Sequence, residues 1–429
     1  MLTLGDGLSL VIPLDSSALQ RVSSGNPAWL IAARAAAFEL YESLDLPADN
    51  DELWKYIDLD FDLGDYHLPA GPDISDNTSE TTEQRLLVSD GFADGAGHDT
   101  DDYSLRPLSD ALAQTDELAV RYDAAGHGHD KFSAANRAFG GDGAYVRIEP
   151  RRAVPGPLWI GLRASTPKSI TFPRVMVEVG DGAESSIVVD MVSDDDVSAI
   201  VVPEVDVLLG DGANLTLTIL QKWGAATTSI GRVRIVAGRD ANMTLAEAGL
   251  GGALSRLHLD VDLAGRGSSA RIVGAYFGDC NQVLDYRYFM RHSGENTSSN
   301  MFLKGAVQDD ALSVFTGMIR IEEGAQRTNA FQTNRNLLLS SDAAAQSVPN
   351  LEILANDVKC GHASSVGPLD ADQRYYLMSR GLDSPRADRL QVRGFFEEAL
   401  AKFPEQSVTG PLRAQMNAKY VQAQEEGRL

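Results

Sequence analysis

Val175-Met-Val-Glu-Val-Gly-Asp-Gly-Ala183 is echoed further on by Val205-Asp-Val-Leu-Leu-Gly-Asp-Gly-Ala213. Weaker copies follow at Val233-Arg-Ile-Val-Ala-Gly-Arg-Asp-Ala241 and Asp260-Val-Asp-Leu-Ala-Gly-Arg-Gly-Ser268. The turn glycines Gly180, Gly210, Gly238 and Gly265 are 30, 28 and 27 residues apart. Seven residues after each stands an apolar side chain: Ile187, Leu217, Leu245 and Ile272. Strand, glycine turn and strand, recurring at such a period, mark a stacked solenoid whose coils bury their inward side chains only against one another. The fourth copy shifts its apolar phase by one before the glycine. An antiparallel sandwich with similar turns is the alternative, and the near-constant spacing favours a parallel β-helix. Such a fold ends in a coil with unpaired backbone edges, which a partner of the same fold can cover by strand pairing.

Outward from the repeat, alternating apolar residues and glycine turns extend the β core over 131–367. Residues 1–69 form an N-terminal helical region. Its main helix is expected from Pro27, capped by Asn26 and stopped by Pro47, with Trp29, Leu30, Ala33, Ala37 and Leu40 at helical spacing. Residues 70–130, rich in Asp, Gly, Ser and Thr, read as an acidic, partly disordered connector with a short helix near Leu105 to Val120. His98, His127 and His129 fall in it without the ligand clustering of a metal site. Residues 368–429 return to helix. Asp370 caps a first helix ending at Arg380-Gly381, Ser384-Pro385 opens a second, and a third spans Pro411 to Gln424.

The chain has 37 Lys and Arg against 61 Asp and Glu in 429 residues, a net charge of −24. That balance argues against nucleic acid or an anionic membrane as partner. Two cysteines make no disulfide framework, so the chain reads as cytoplasmic with reduced thiols. The N-terminus lacks a basic region before its apolar run, and no apolar run approaches the ~20 residues that span a bilayer.

Familiar chemistries are missing. Without any Gly-Lys dipeptide there is no phosphate-binding P-loop, so ATP dependence must come from another subunit. There is no Gly-x-Ser-x-Gly elbow. His258 and His292 stand apart from any nucleophile, and Cys280 reads as a small buried hydrophobe. Asp194-Asp-Asp196 and Asp309-Asp310 read as solvated turns. They are the only support for a β-helix carbohydrate-active enzyme.

Asn350-Leu-Glu-Ile-Leu-Ala-Asn-Asp-Val-Lys-Cys-Gly-His362 remains. In a strand through Ile353 to His362, Cys360 and His362 point to one face, because side chains alternate with period two. Thiolate and imidazole together suit zinc or iron–sulfur chemistry and make half of a metal site. Lys359 is expected to favour the thiolate of Cys360. As Cys-x-His is a short motif, a chance juxtaposition is the competing reading.

Several uncommon strings stand in one order: Pro27-Ala-Trp29, Glu52-Leu-Trp-Lys-Tyr56, Lys131-Phe132, Asn296-Thr297, Ala330-Phe-Gln332, Asn336-Leu-Leu-Leu-Ser340, Pro349-Asn-Leu-Glu-Ile353, Asp357-Val-Lys-Cys-Gly-His362 and Tyr376-Leu-Met-Ser-Arg-Gly381. In this the chain resembles the SufB/SufD family of iron–sulfur cluster assembly proteins over most of its length, the connector excepted. Cys-Gly-His-Ala is closer to the Cys-Ser-His-Gly usual in SufD than to the Glu-His-Glu-Ala of SufB, departing from it at Gly361 and Ala363. The resemblance implies a right-handed parallel β-helix core flanked by helical regions. It implies a non-ATPase scaffold subunit that pairs with a SufB-like paralogue through the β-helix and binds a SufC-like ABC ATPase through its C-terminal helices, from about Ser384 to Phe403. It further implies a transient iron–sulfur cluster shared with SufB. His362 would be the ligand on this side and Cys360 a supporting or alternative one. A homodimer in isolation, and a purely architectural role with no ligand, stay open.

Overall fold

The computed structural model describes residues 13–48, 50–71, 84–95, 97–114, 118–119 and 130–426. It is mainly β. Two long sheets enclose one apolar core, and successive strands alternate between them. The first sheet runs from Phe92–Asp94 through Arg85–Ser89 and Ala153–Ala164 to Lys359–Gly367. The second ends at Ala344–Ile353, the strand before it in sequence. From Ala153–Ala164 onward every neighbouring pair in the first sheet is parallel. This is the parallel β-solenoid.

The repeat sets the register. Leu217 lies beside Ile187 and Leu245, and Leu245 beside Ile272. The apolar residues seven positions after the turn glycines thus form one buried column. Its inward position follows from the alternation of strand side chains, and its continuity from the parallel stacking. The phase shift of the fourth copy is a one-residue insertion in the turn. Ala237 pairs with Leu263, 26 residues on, whereas Asn242 pairs with Ser269, 27 residues on.

The described part of the connector contributes strands to both sheets. Arg85–Ser89 joins the first sheet parallel to Ala153–Ala164, and Phe92–Asp94 folds back antiparallel on it. Tyr103–Pro107 pairs antiparallel with Gly143–Ile148 in the second sheet. The helix expected from Leu105 begins only at Leu108 and is described as far as Gln114. Two buried apolar residues per strand (Leu86 and Val88; Tyr103 and Leu105) seat each on the neighbouring sheet. His127 and His129 lie outside the described residues.

The described helices are α1 (Ser16–Ser23), α2 (Ala28–Ser43), α3 (Leu108–Gln114), α4 (Lys131–Phe139), α5 (Ala371–Ser379), α6 (Ser384–Leu400) and α7 (Gln406–Glu425). So the β core proper begins at Gly143, after α4. Before α2, Pro27 takes the capping position and Asn26 makes no cap, its amide bonding back to Val22 O. The helix ends at Ser43, short of Pro47. Asp370 caps α5 as expected. For α6 the cap is Asp383 rather than Ser384, a carboxylate accepting from Arg386 N at 3.0 Å.

Charged side chains fasten both helical regions to the solenoid. Asp285 is fully buried between Arg256 and Arg287. Arg256 donates to Leu53 O at 2.8 Å and stacks on Trp54, and Arg287 donates to Lys55 O at 2.6 Å. The Leu-Trp-Lys string is therefore a hook held through its carbonyls. At the other terminus, Lys419 of α7 donates to Leu250 O, Phe277 O and Gln282 Oε1 and pairs with Asp279. Val392, Phe396, Ala399 and Leu400 of α6 pack on the outer face of the first sheet.

Candidate functional site at the open end of the solenoid

The inward columns of the first sheet lead to the candidate residues. The column Leu217, Leu245, Ile272 continues through Met301 and Gln332 to His362. The adjacent column runs Leu215, Met243, Ala270, Ser299, Ala330, Cys360. Cys360 and His362 do share one face, and that face is the solenoid interior. The strand carrying them starts at Lys359, however. The chain turns between Ile353 and Lys359, so the expected single strand through Ile353 is two strands in different sheets.

No further coil covers the last one. Cys360 is half-buried against the core, whereas His362 is exposed. Burial pushes the Cys360 thiol up, not down, despite an opposing backbone N–H from Gly361. Lys359 points to the opposite face and contributes nothing to that shift, so the expectation that it favours the thiolate fails. The free chain therefore holds Cys360 as a thiol at neutral pH. Among the described residues no group of three or more His, Cys, Asp and Glu side chains forms a metal cage.

Beside this pair the interior is polar. Ser364 Oγ donates to Ser347 Oγ at 2.7 Å, and Ser347 Oγ donates to Asn334 Oδ1 at 2.8 Å. Asn334 and Asn336 share the hydroxyl of Tyr276 at 2.9 and 2.7 Å. Deeper still lies Glu247, fully buried, its Oε1 accepting from Gln221 Nε2 at 3.0 Å. Burial pushes its carboxyl up to about 8, so it is a neutral acid at pH 7. Glycines make room for this cluster: a Cβ at Gly249 would lie 1.9 Å from Tyr286 Oη. Sequence reading missed Glu247. Its one signal was a carboxylate at an inward position of an alternating strand.

The remaining candidates fall elsewhere. His292 is buried, its Nδ1 2.8 Å from Thr297 Oγ1 and its Nε2 2.9 Å from Ser299 Oγ, and burial lowers it to about 4. It is a neutral structural imidazole. His258 stacks on Phe289 and pairs with Asp260 on the outer surface. Cys280, expected in the core, is exposed on a turn at φ 53°. The strand ends at Gly278, so the alternation that would bury it has already stopped. On the C-terminal helices, α5 buries no residue and exposes Tyr375, Tyr376 and Met378, while α6 adds exposed Leu390. Among the described residues no helix is long and apolar enough to cross a membrane.

Comparison with known proteins adds a family context. Residues 162–395 match the family described as SUF system FeS cluster assembly, SufBD core domain. An iron–sulfur cluster assembly SufBD family protein of Mycobacterium tuberculosis (Rv1462) is 30% identical over 365 residues, covering 80% of this chain and 87% of that one. A SufBD family protein of Synechocystis (slr0076) is 28% identical over 91% of both chains. The iron–sulfur cluster assembly protein SufD of Bacillus subtilis is 26% identical over 95% of this chain and 97% of its own.

Proposed function

Because this chain belongs to the SufBD family of iron–sulfur cluster assembly proteins, we propose that it is the non-ATPase scaffold subunit that supplies one half of a cluster site and takes the other half from a SufB-like partner. One observation carries the reading: Cys360 and His362 sit together on the inward face of an edge strand, at the mouth of an otherwise closed core. Two ligands hold a cluster only with help from outside the chain. The edge on which they stand is also the surface that another strand must cover. His362 offers an imidazole nitrogen in solvent, and Cys360 a sulfur whose proton leaves on binding. The cluster is cargo. A site split across a subunit boundary lets it go when the boundary opens, since each half keeps too few bonds to retain it.

The ATPase docks on the C-terminal helices, in this reading chiefly on α5. The apolar face of α6 within the expected Ser384 to Phe403 segment is already spent on the solenoid. Tyr375, Tyr376 and Met378, with Leu390, offer the exposed apolar surface that an interface core requires. ATP hydrolysis belongs to that partner, and the work done here is positioning.

The test is anaerobic co-purification with the SufB-like and SufC-like partners, wild type beside His362→Ala, followed by iron counting and a visible spectrum. An intact complex that loses iron in the variant supports the ligand role. Equal iron in both makes the chain architectural.

A further inference from the structure

The inward column that ends at His362 changes character just below it. Leu217, Leu245, Ile272 and Met301 are apolar, and then comes Gln332, an amide only 1% exposed. Gln332 and His362 are register partners on adjacent parallel strands, so their side chains leave one face about 4.8 Å apart at the backbone. The Gln332 amide is held at one end only. Its Nε2 donates to Asn350 O at 3.2 Å, in the last strand of the other sheet. Its Oε1 is buried and has no hydrogen-bond donor among the described residues. Room is left for that oxygen: a Cβ at Gly317 would lie 2.1 Å from it. The neighbouring inward amides are committed. Asn334 Oδ1 accepts from Asn336 and Ser347 while its Nδ2 donates to Tyr276, and Asn336 Oδ1 accepts from the Tyr276 hydroxyl. One step beyond Gln332, the His362 ring forms no hydrogen bond with any described residue. A buried acceptor without a donor is unfavourable, and a methionine like Met301 would fill the same space without that cost.

We infer that Gln332 is the positioning residue of His362: when one imidazole nitrogen takes a metal, the N–H of the other is donated to Gln332 Oε1. This rests on the reading of His362 as a ligand and adds what aims it. A ligating imidazole carries its proton on the nitrogen away from the metal, and the acceptor of that proton fixes the tautomer and the ring plane. His362 has more need of such support than a buried ligand, because it is exposed on an edge strand with no coil beyond it. The terminal torsion of a glutamine is broad, so the oxygen can turn from the notch at Gly317 to the ring. The bond to Asn350 O ties the amide to the other terminal strand, so both edges of the open end take part in aiming one ring. Gln332 touches no cargo and acts through His362.

The test is cobalt(II) binding to the full chain, with cobalt as a spectroscopic stand-in for iron. Cys280→Ser leaves Cys360 as the one thiol, so thiolate-to-cobalt absorption reports this site alone. In that parent, Gln332→Met removes the acceptor and keeps the volume, whereas Gln332→Glu keeps an acceptor in place. Melting curves confirm folding. Expected is a loss of cobalt affinity of about tenfold or more for Gln332→Met, and affinity at or above the parent's for Gln332→Glu. With His362→Ala added, Gln332→Met is expected to change affinity by less than about twofold, since no ring is left to aim. Losses in both Gln332 variants, a Gln332→Met affinity within about threefold of the parent's, or the same loss with and without His362 would overturn the inference. A parent whose thiolate band never forms, or is indifferent to His362→Ala, would instead defeat the reading of His362 as a ligand.

Discussion

The two ends of the solenoid solve the same problem in opposite ways. At the N-terminal end both sheets finish in short antiparallel strands, Phe92–Asp94 in one and Tyr103–Pro107 with His98–Asp99 in the other. Leu105 and Leu86 fill the core beneath them, and α3 packs alongside through Leu108 and Leu112. At the C-terminal end the last strands are left bare, with every residue of both half-buried or exposed. Phe331, Ile353, Leu354 and Val366 add exposed apolar surface there. A chain able to cap one end could have capped both. Under the proposed function the open end is a partner surface kept at a cost in stability, since an exposed edge is otherwise an aggregation hazard.

The contrast can be broken in graded ways. The largest effect is expected from the fastening of the hook, which belongs to neither end. Asp285→Ala leaves Arg256 and Arg287 buried without their anion and should cost about 3–5 kcal/mol in chemical denaturation. At the capped end Leu105→Ala should cost about 2–5 kcal/mol through the cavity it leaves, with partner affinity unchanged. Next comes Glu247. Its folded pKa lies above the unfolded value, so the stability it confers is full below about pH 4.5 and falls until pH passes about 8. Glu247→Gln should remove that slope and gain about 2 kcal/mol over wild type at pH 9, measured by denaturant titration across pH. The smallest stability change belongs to the open end. Val366→Lys should alter stability by about 0.5 kcal/mol or less while sharply weakening the partner complex. If Val366→Lys destabilises the free chain as much as Leu105→Ala, the two ends do not differ in the way described.

Much of this was legible because the solenoid repeats. Four glycines and the residues seven positions later, Ile187, Leu217, Leu245 and Ile272, gave the stacking register directly. Cys360 and His362 were legible as a same-face pair by strand alternation alone. The turn at residues 354–358 was not, because Leu354 and Ala355 prolong the apolar run past the end of the strand. That Lys359 takes no part in the shift of Cys360 was hidden too, since sequence adjacency on a strand places two side chains on opposite faces. The capping strands were obscured by their polar surroundings. Glu247 gave little warning, as its neutral state depends on side chains from coils far apart in sequence.

The hook at Leu53 and Lys55 has a consequence in time. Its anchors Arg256 and Arg287 lie 203 and 232 residues downstream. During synthesis at about 5–20 residues per second, the hook waits roughly 10–50 s for them to emerge. It then closes over coils already stacked. The Leu53 and Lys55 carbonyls, though made early, gain these two bonds late, after the rest of the N-terminal region can already pack on Phe132 and Phe139.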